Sequence, residues 1–162
     1  MKKQLKFAIV GCGLIGQKRA NALTGLGHVA IVCDINLSRA RLLANSLENC
    51  VACNDAEEIW QNNEVQAVII ATLNSSLAPL ALAAINSGKN VLVEKPGAIS
   101  SAELRNLTEA ADAAGVMVRI GYNHRFHPAI QKARSIVDDG ALGTLMFLRG
   151  RYGHGGRKGY ET

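Results

Sequence analysis

Short apolar runs rich in β-branched residues recur along the chain at residues 6–10, 29–33, 51–53, 67–72, 90–93 and 116–121. Such runs are expected of strands covered by helices on both faces. Between them lie stretches with helical spacing, at 14–26, 37–47, 56–61, 77–87 and 102–114. Strand and helix in strict alternation predict an α/β protein with a doubly wound parallel sheet, the Rossmann arrangement. Local chemistry marks several boundaries. Asn36 and Ser38 stand where a helix starts, Ser100 and Ser101 precede Glu103 in a capping arrangement, and Gly88 and Gly115 fall where helices stop.

This first domain is predicted over residues 1–122. Beyond it, a helix at 128–138 and a strand at 144–152 predict the start of a second, α+β domain over 123–162, with Gly140 and Gly143 punctuating the junction. A chain of 162 residues is short for a complete dinucleotide-dependent oxidoreductase, which needs a further domain to shape its substrate pocket. The second domain is therefore expected to be truncated.

The first strand runs straight into Gly11-Cys12-Gly13-Leu14-Ile15-Gly16, and the second ends in an acid, Asp34, eighteen residues after Gly16. That spacing is the dinucleotide fingerprint. Gly11 permits the tight turn, Gly13 lets the backbone approach a pyrophosphate, and Gly16 lets the next helix pack closely on the sheet. The helix N-terminus offers free N–H groups to phosphate oxygens, and Asp34 accepts hydrogen bonds from the ribose hydroxyls. A carboxylate there repels a 2′-phosphate, so NAD is favoured over NADP. Ile35 flanks the acid, and Arg39 with Arg41 is the reservation, since either can pair with a phosphate.

Charge changes the picture little. The formal net charge is +5, but residues 1–122 carry eleven Lys/Arg against ten Asp/Glu, and residues 123–162 seven against three. The excess belongs to the last segment, around Arg149, Arg151, Arg157 and Lys158, and suits an anionic substrate group or a solvated basic tail. Aromatic residues make up 4% of the chain and no nucleic-acid motif is present, so no nucleic-acid partner is expected. No stretch reads as membrane-spanning and no secretory signal is read at the N-terminus, which leads to the expectation of a cytoplasmic protein with reduced thiols. Cys12 and Cys33 read as small hydrophobes. Cys50 and Cys53 form a lone C-x-x-C without a second pair or nearby histidine, and alternating faces of a short strand explain it better than metal or redox chemistry. No metal is expected.

The fifth strand ends in Glu94-Lys95-Pro96. Carboxyl ends of parallel strands form the ligand crevice, so this lysine falls where a nicotinamide and its substrate meet. There it can hydrogen-bond a substrate oxygen, stabilise developing charge or relay a proton. The competing reading is a surface ion pair of Glu94.

Taken with Ala71-Thr72, Gly88-Lys89-Asn90-Val91-Leu92-Val93-Glu94-Lys95-Pro96 and Gly121-Tyr122-Asn123-His124-Arg125-Phe126-His127-Pro128, the glycine turn resembles the Gfo/Idh/MocA oxidoreductases, the group containing glucose-fructose oxidoreductase and inositol dehydrogenase. The resemblance extends over essentially the whole chain. It implies a domain that binds NAD or NADP, a catalytic lysine at Lys95, and a sugar, polyol or nucleotide-linked sugar oxidised or reduced at a hydroxyl-bearing carbon. Glu94 would lie in the nicotinamide-side pocket. Ala71, Thr72, Leu73 and Asn74 would line the cofactor together with Asn123, and Arg125 and His127 would lead to the substrate cleft. His154 is a loop residue that could touch substrate. Where the family often has a proline after Ala-Thr and a histidine four residues on, this chain has Leu73 and Leu77.

The resemblance also implies a D-x-x-x-H segment on the second domain, whose histidine serves as acid/base, and none of His28, His124, His127 and His154 matches it. The isolated chain is therefore expected to bind NAD but turn over poorly, with a homo-oligomer expected for the full-length protein. A reading of another class is a stand-alone NAD-binding or sensing module acting through a protein partner, motivated by the unpaired strand at 144–152. A domain that only scaffolds, having lost its cofactor, is opposed by the intact glycines, Asp34 and Lys95.

Overall fold

In a computed structural model, residues 4–151 and 153 are described. The chain divides into two compact units, one ending at Tyr122 and the other beginning at Asn123.

The first unit is built on six parallel strands: β1 (Lys6–Val10), β2 (His28–Cys33), β3 (Val51–Cys53), β4 (Ala67–Ile70), β5 (Asn90–Val93) and β6 (Val118–Ile120). Their order across the sheet is β3-β2-β1-β4-β5-β6. The order reverses between β1 and β4, the topological switch point where such sheets open a crevice. Intervening helices are α1 (Leu14–Ala22), α2 (Leu37–Ala44), α3 (Glu57–Trp60), α4 (Asn74–Asn86) and α5 (Ser101–Ala114).

Two apolar cores follow from the pleat, because successive side chains of a strand face opposite sides. One face of the sheet gathers Ile9, Val32 and Ile69 with Ala20 of α1 and Ala40, Leu43 and Ala44 of α2. Its opposite face gathers Val10, Val68, Ile70 and Val93 with Ile59, Leu77, Ala81, Ile85 and Leu107 from α3, α4 and α5. Burial of each large aliphatic side chain contributes roughly 1.5–3 kcal/mol, so both faces must be covered for the sheet to persist.

Two boundaries depart from expectation. α1 ends at Ala22, not near residue 26, because Leu23 caps it and Gly25 takes a left-handed φ of +78°. α4 begins three residues early, at Asn74, despite Pro79 inside it. The ring removes one N–H, but the carbonyl that would receive it belongs to exposed Ser75, where water can serve.

In the second unit, a 3-10 turn (Asn123–Phe126) precedes α6 (Pro128–Asp138). The strand expected at 144–152 does not form over its described part, 144–151. A strand is stable only when its backbone is paired, and none of the described residues pairs with this segment. Met146, Phe147 and Leu148 are exposed. Among the described residues no helix is long and apolar enough to cross a membrane.

Candidate functional site

β1 hands the chain to α1 through the glycine turn, and each glycine meets a different constraint. Gly11 has φ +96°, and a Cβ there would collide with the Ala71 carbonyl. Its N–H donates to Cys33 O at 2.8 Å while Ala71 N–H donates to Val10 O at 2.8 Å, so the turn is wedged between the ends of β2 and β4. A Cβ on Gly16 would strike Gly11 O, which fixes how closely α1 approaches the turn. Gly13 differs from both, since a Cβ there would meet nothing within 4 Å. The absence of a side chain at Gly13 serves no packing need, and the space it leaves lies at the head of α1.

That head is open to a ligand. Gly13 is the N-cap of α1, so no side chain accepts from its first turn, and no acidic residue lies there. α4 is likewise uncapped, beginning after extended Leu73. These two helices follow β1 and β4, the strands that flank the switch point. By contrast Asn36 caps α2 by accepting from Ser38 N–H and Arg39 N–H, and Ser100 caps α5 by accepting from Glu103 N–H.

Asp34 ends β2 with only 8% of its surface exposed. One carboxylate oxygen accepts from Cys12 N–H at 2.8 Å and the other from Asn36 N–H at 2.9 Å. The acid thereby fixes the middle of the glycine turn and the entry to α2, and each oxygen keeps a second lone pair for a ligand. Ile35 beside it is 96% exposed. Arg39 lies exposed in the first turn of α2 with no ion pair to any described residue. Leu14, Ile15 and Leu73 are exposed apolar residues on the same turns, Thr72 is half-buried, and Asn74 is the exposed first residue of α4.

Glu94 ends β5 and is 9% exposed. Its Oε1 accepts from Arg19 Nε at 2.5 Å and also contacts Arg19 Nη2. Space for this pair comes from Gly121, where a Cβ would sit 3.2 Å from both Glu94 oxygens and 3.3 Å from Arg19 Nη2. Lys95 follows, exposed, and its ammonium has neither a hydrogen bond nor an ion pair with any described residue. The Lys95–Pro96 bond is cis, Gly97 N–H donates to Glu94 O at 2.9 Å, and Tyr122 Oη donates to Pro96 O at 3.3 Å. At the other end of the same strand, Lys89 is buried and its Nζ donates to Asn62 O at 2.6 Å. Two lysines thus bracket β5, one consumed by structure and one left free.

The sequence-predicted residues of the first unit, Gly11 to Gly16, Asp34, Ile35, Arg39, Ala71 to Asn74, Glu94 and Lys95, all fall at the carboxyl ends of β1, β2, β4 and β5. Asn123, Arg125 and His127 belong to the second unit and are exposed there. His127 is the N-cap of α6, its Nδ1 accepting from Ala129 N–H at 3.2 Å, and the Arg125 guanidinium lies 5.9 Å from the Phe126 ring centre. His154, with Arg157 and Lys158, lies outside the described residues. Arg19, Gly121 and Tyr122 were not singled out from sequence as site residues, because their partners are contributed by a distant strand.

The four cysteines are free thiols. Burial, aided by the Asp34 charge, pushes the Cys12 thiol up to about 12, so it stays protonated near neutral pH. Cys33 is also pushed up, through its hydrogen bond to Cys53 and its burial. Cys50 packs against one core and Cys53 against the other, so the C-x-x-C spans the sheet and does not face one site. Among the described residues no group of three or more His, Cys, Asp or Glu is placed to hold a metal ion.

Known proteins share this architecture. Residues 5–122 match the model of a family described as an oxidoreductase family with an NAD-binding Rossmann fold. The chain is 34% identical over 154 residues to inositol 2-dehydrogenase of Salmonella typhimurium, covering 91% of this chain and 46% of that protein. With scyllo-inositol 2-dehydrogenase (NAD(+)) of Bacillus subtilis it shares 30% identity, over 93% of this chain and 45% of that one. It therefore spans about half the length of the curated relatives it matches. A crystal structure of GenD2 from gentamicin A biosynthesis, in complex with NAD, superposes with a TM-score of 0.83 at 29% identity, covering 87% of this chain and 41% of that one. With the glycine turn, the acid ending β2 and the Glu-Lys-Pro turn ending β5 all in their expected places on this fold, the chain belongs to the Gfo/Idh/MocA oxidoreductase family.

Proposed function

We propose that this chain holds NAD across the switch point and presents Lys95 to a sugar or polyol hydroxyl undergoing dehydrogenation. The observation that carries the reading is the combination of open space at Gly13 with an uncapped α1 N-terminus beside a buried Asp34. An anionic pyrophosphate supplies what the α1 N–H groups lack, and ribose hydroxyls supply donors to the remaining lone pairs of Asp34. Both groups fit the residues present. Asp34 also disfavours the 2′-phosphate of NADP by charge, although Arg39, with no ion pair to any described residue, lies five residues on.

When bound, NAD supplies the hydride acceptor. The protein contributes orientation and electrostatics. Lys95, with its ammonium unpaired at the crevice, donates a hydrogen bond to the substrate oxygen and stabilises charge developing on it as the carbinol carbon loses hydride to NAD. The hydroxyl proton passes to the acid/base histidine that the family resemblance implies. The substrate class rests on the names of the relatives, inositol dehydrogenases for the most part, with nucleotide-linked sugars as a wider possibility. Asn123, Arg125, His127 and His154 are proposed to contribute to the cofactor and substrate side, and residues 123–162 to belong to a substrate or oligomerisation domain. The reading as a sensing module that acts through a partner rested on an unpaired strand at 144–152, and residues 144–151 form none.

Calorimetric titration with NAD and NADP tests the cofactor half, with tighter binding of NAD expected. Binding of neither would overturn it. The catalytic half is tested by following reduced nicotinamide with inositols and other polyols, using protein expressed from the whole reading frame. Lys95→Met is expected to retain NAD affinity and lose turnover.

A further inference from the structure

We propose that Arg19 is a positioning residue that acts through Glu94, occupying that carboxylate so that the neighbouring ammonium of Lys95 stays unpaired and available to substrate. This rests on the assignment of Lys95 made above. Three elements converge on the arrangement. Arg19 comes from the last turn of α1, Glu94 from the end of β5, and Gly121 from the residue after β6. The bond is directional, with Nε and Nη2 of one guanidinium on Glu94 Oε1. Gly121 contributes by lacking a side chain, since a Cβ would crowd both partners.

A purely structural ion pair would need no particular neighbour. Here the carboxylate is covalently next to Lys95, whose ammonium has no hydrogen bond or ion pair with any described residue. Lys95 lies past the end of β5, on a flexible four-carbon stem, and an ammonium paired with the Glu94 carboxylate would be a poorer donor to substrate and a weaker nucleophile. Arg19 removes that competitor, because a planar guanidinium satisfies a carboxylate in a fixed geometry. The same bond ties α1, whose opposite end carries the proposed phosphate site, to the turn that carries Lys95.

The test reads the reactivity of Lys95 directly, by competitive acetylation with acetic anhydride at fixed pH and peptide mass spectrometry, on the full chain without NAD. Arg19→Met is expected to slow labelling of Lys95 about fivefold as the released Glu94 pairs with it. Adding Glu94→Gln to that variant is expected to restore the rate, and Arg19→Lys is expected to keep it. A merely structural role predicts the opposite for the double variant, since removing both partners cannot repair a disturbed turn. Equal labelling in Arg19→Met and the unsubstituted chain, or a double variant as slow as Arg19→Met, would overturn the proposal. Should Arg19→Met not fold, Arg19→Gln, which removes the charge but keeps a polar side chain on Glu94, is measured in its place: slower labelling of Lys95 supports the proposal, and unchanged labelling overturns it. Protection of Lys95 by added NAD reports separately on the cofactor reading, so its absence with the labelling pattern intact sinks that reading and not the ion pair.

Discussion

Two acids terminate strands on the face of the sheet that α1 covers, and they are buried to nearly the same degree, yet they hold that helix in different ways. Asp34 grips the turn at its head through the Cys12 backbone N–H, its other oxygen holding the entry to α2. Glu94 grips its tail through the Arg19 side chain. A backbone amide cannot be swapped by mutation, so the first clasp depends on Asp34 alone, whereas the second depends on two side chains and a missing Cβ. On the proposed reading the head clasp fixes the turn that receives phosphate, and the tail clasp sets the charge beside Lys95.

The severest break lies in the turn between the clasps. Gly11→Ala is expected to cost more than about 4 kcal/mol, because the residue needs a left-handed backbone and its Cβ strikes the Ala71 carbonyl. Chemical denaturation measures this directly. A loss below about 1 kcal/mol would mean that the turn relaxes, and that the close approach of β1 and β4 is not required.

Asp34→Ala ranks next. It strands the buried Cys12 N–H at roughly 1–3 kcal/mol, replaces the charge-assisted bond of the exposed Asn36 N–H by one to water, and removes the proposed ribose acceptor. Stability should fall by about 2–4 kcal/mol, and NAD affinity should fall at least about tenfold, with NADP much less affected. Equal losses for both nucleotides would show that Asp34 serves the turn but not the ribose.

Glu94→Gln is expected to be milder. Stranding one member of a buried ion pair costs about 3–5 kcal/mol, but the Arg19 side chain is 23% exposed and water can reach it, so about 1–3 kcal/mol is expected. The effect on NAD affinity should be smaller than that of Asp34→Ala. The reverse ranking would place the cofactor's grip at the tail of α1.

The residues of the head clasp were legible in the sequence, though not the bond from Cys12 N–H to Asp34; of the tail clasp, an ion pair of Glu94 was legible but not its partner or its burial. Gly11, Gly13, Gly16 and Asp34 form a pattern whose spacing reflects one βαβ unit, so local geometry suffices to assign it. Arg19 and Glu94 lie 75 residues apart, and nothing at either position announces the other. The same contrast runs through the fold. All six strands begin and end within two residues of expectation because buried runs declare themselves, β6 being shorter at both ends. The start of α4 was missed because Ser75, Ser76 and Pro79 lower local helix propensity, while Leu77, Ala81 and Ile85 on the buried face override it. The strand expected at 144–152 failed for the opposite reason. Its apolar composition is local, but the pairing that makes a strand is not.

The gentlest substitution is also the sharpest separator of structure from ligand. Gly13 has φ −72° and ψ −167°, a conformation any residue adopts, and a Cβ there meets no protein atom. Alanine is a poorer N-cap than glycine, but it also narrows the unfolded ensemble, and the two effects oppose each other at a few tenths of a kcal/mol. Gly13→Ala should therefore leave the denaturation midpoint nearly unchanged, within about 0.5 kcal/mol in stability. If a pyrophosphate rests on the α1 head, the added methyl occupies the space that its oxygens approach, and NAD affinity should fall at least about tenfold. The ratio of the two effects is what matters, because only a bound group can make an atom costly where the protein itself leaves room for it. Unaltered NAD binding by a stable Gly13→Ala protein would remove the phosphate from this turn, and Asp34 would remain a purely structural clasp.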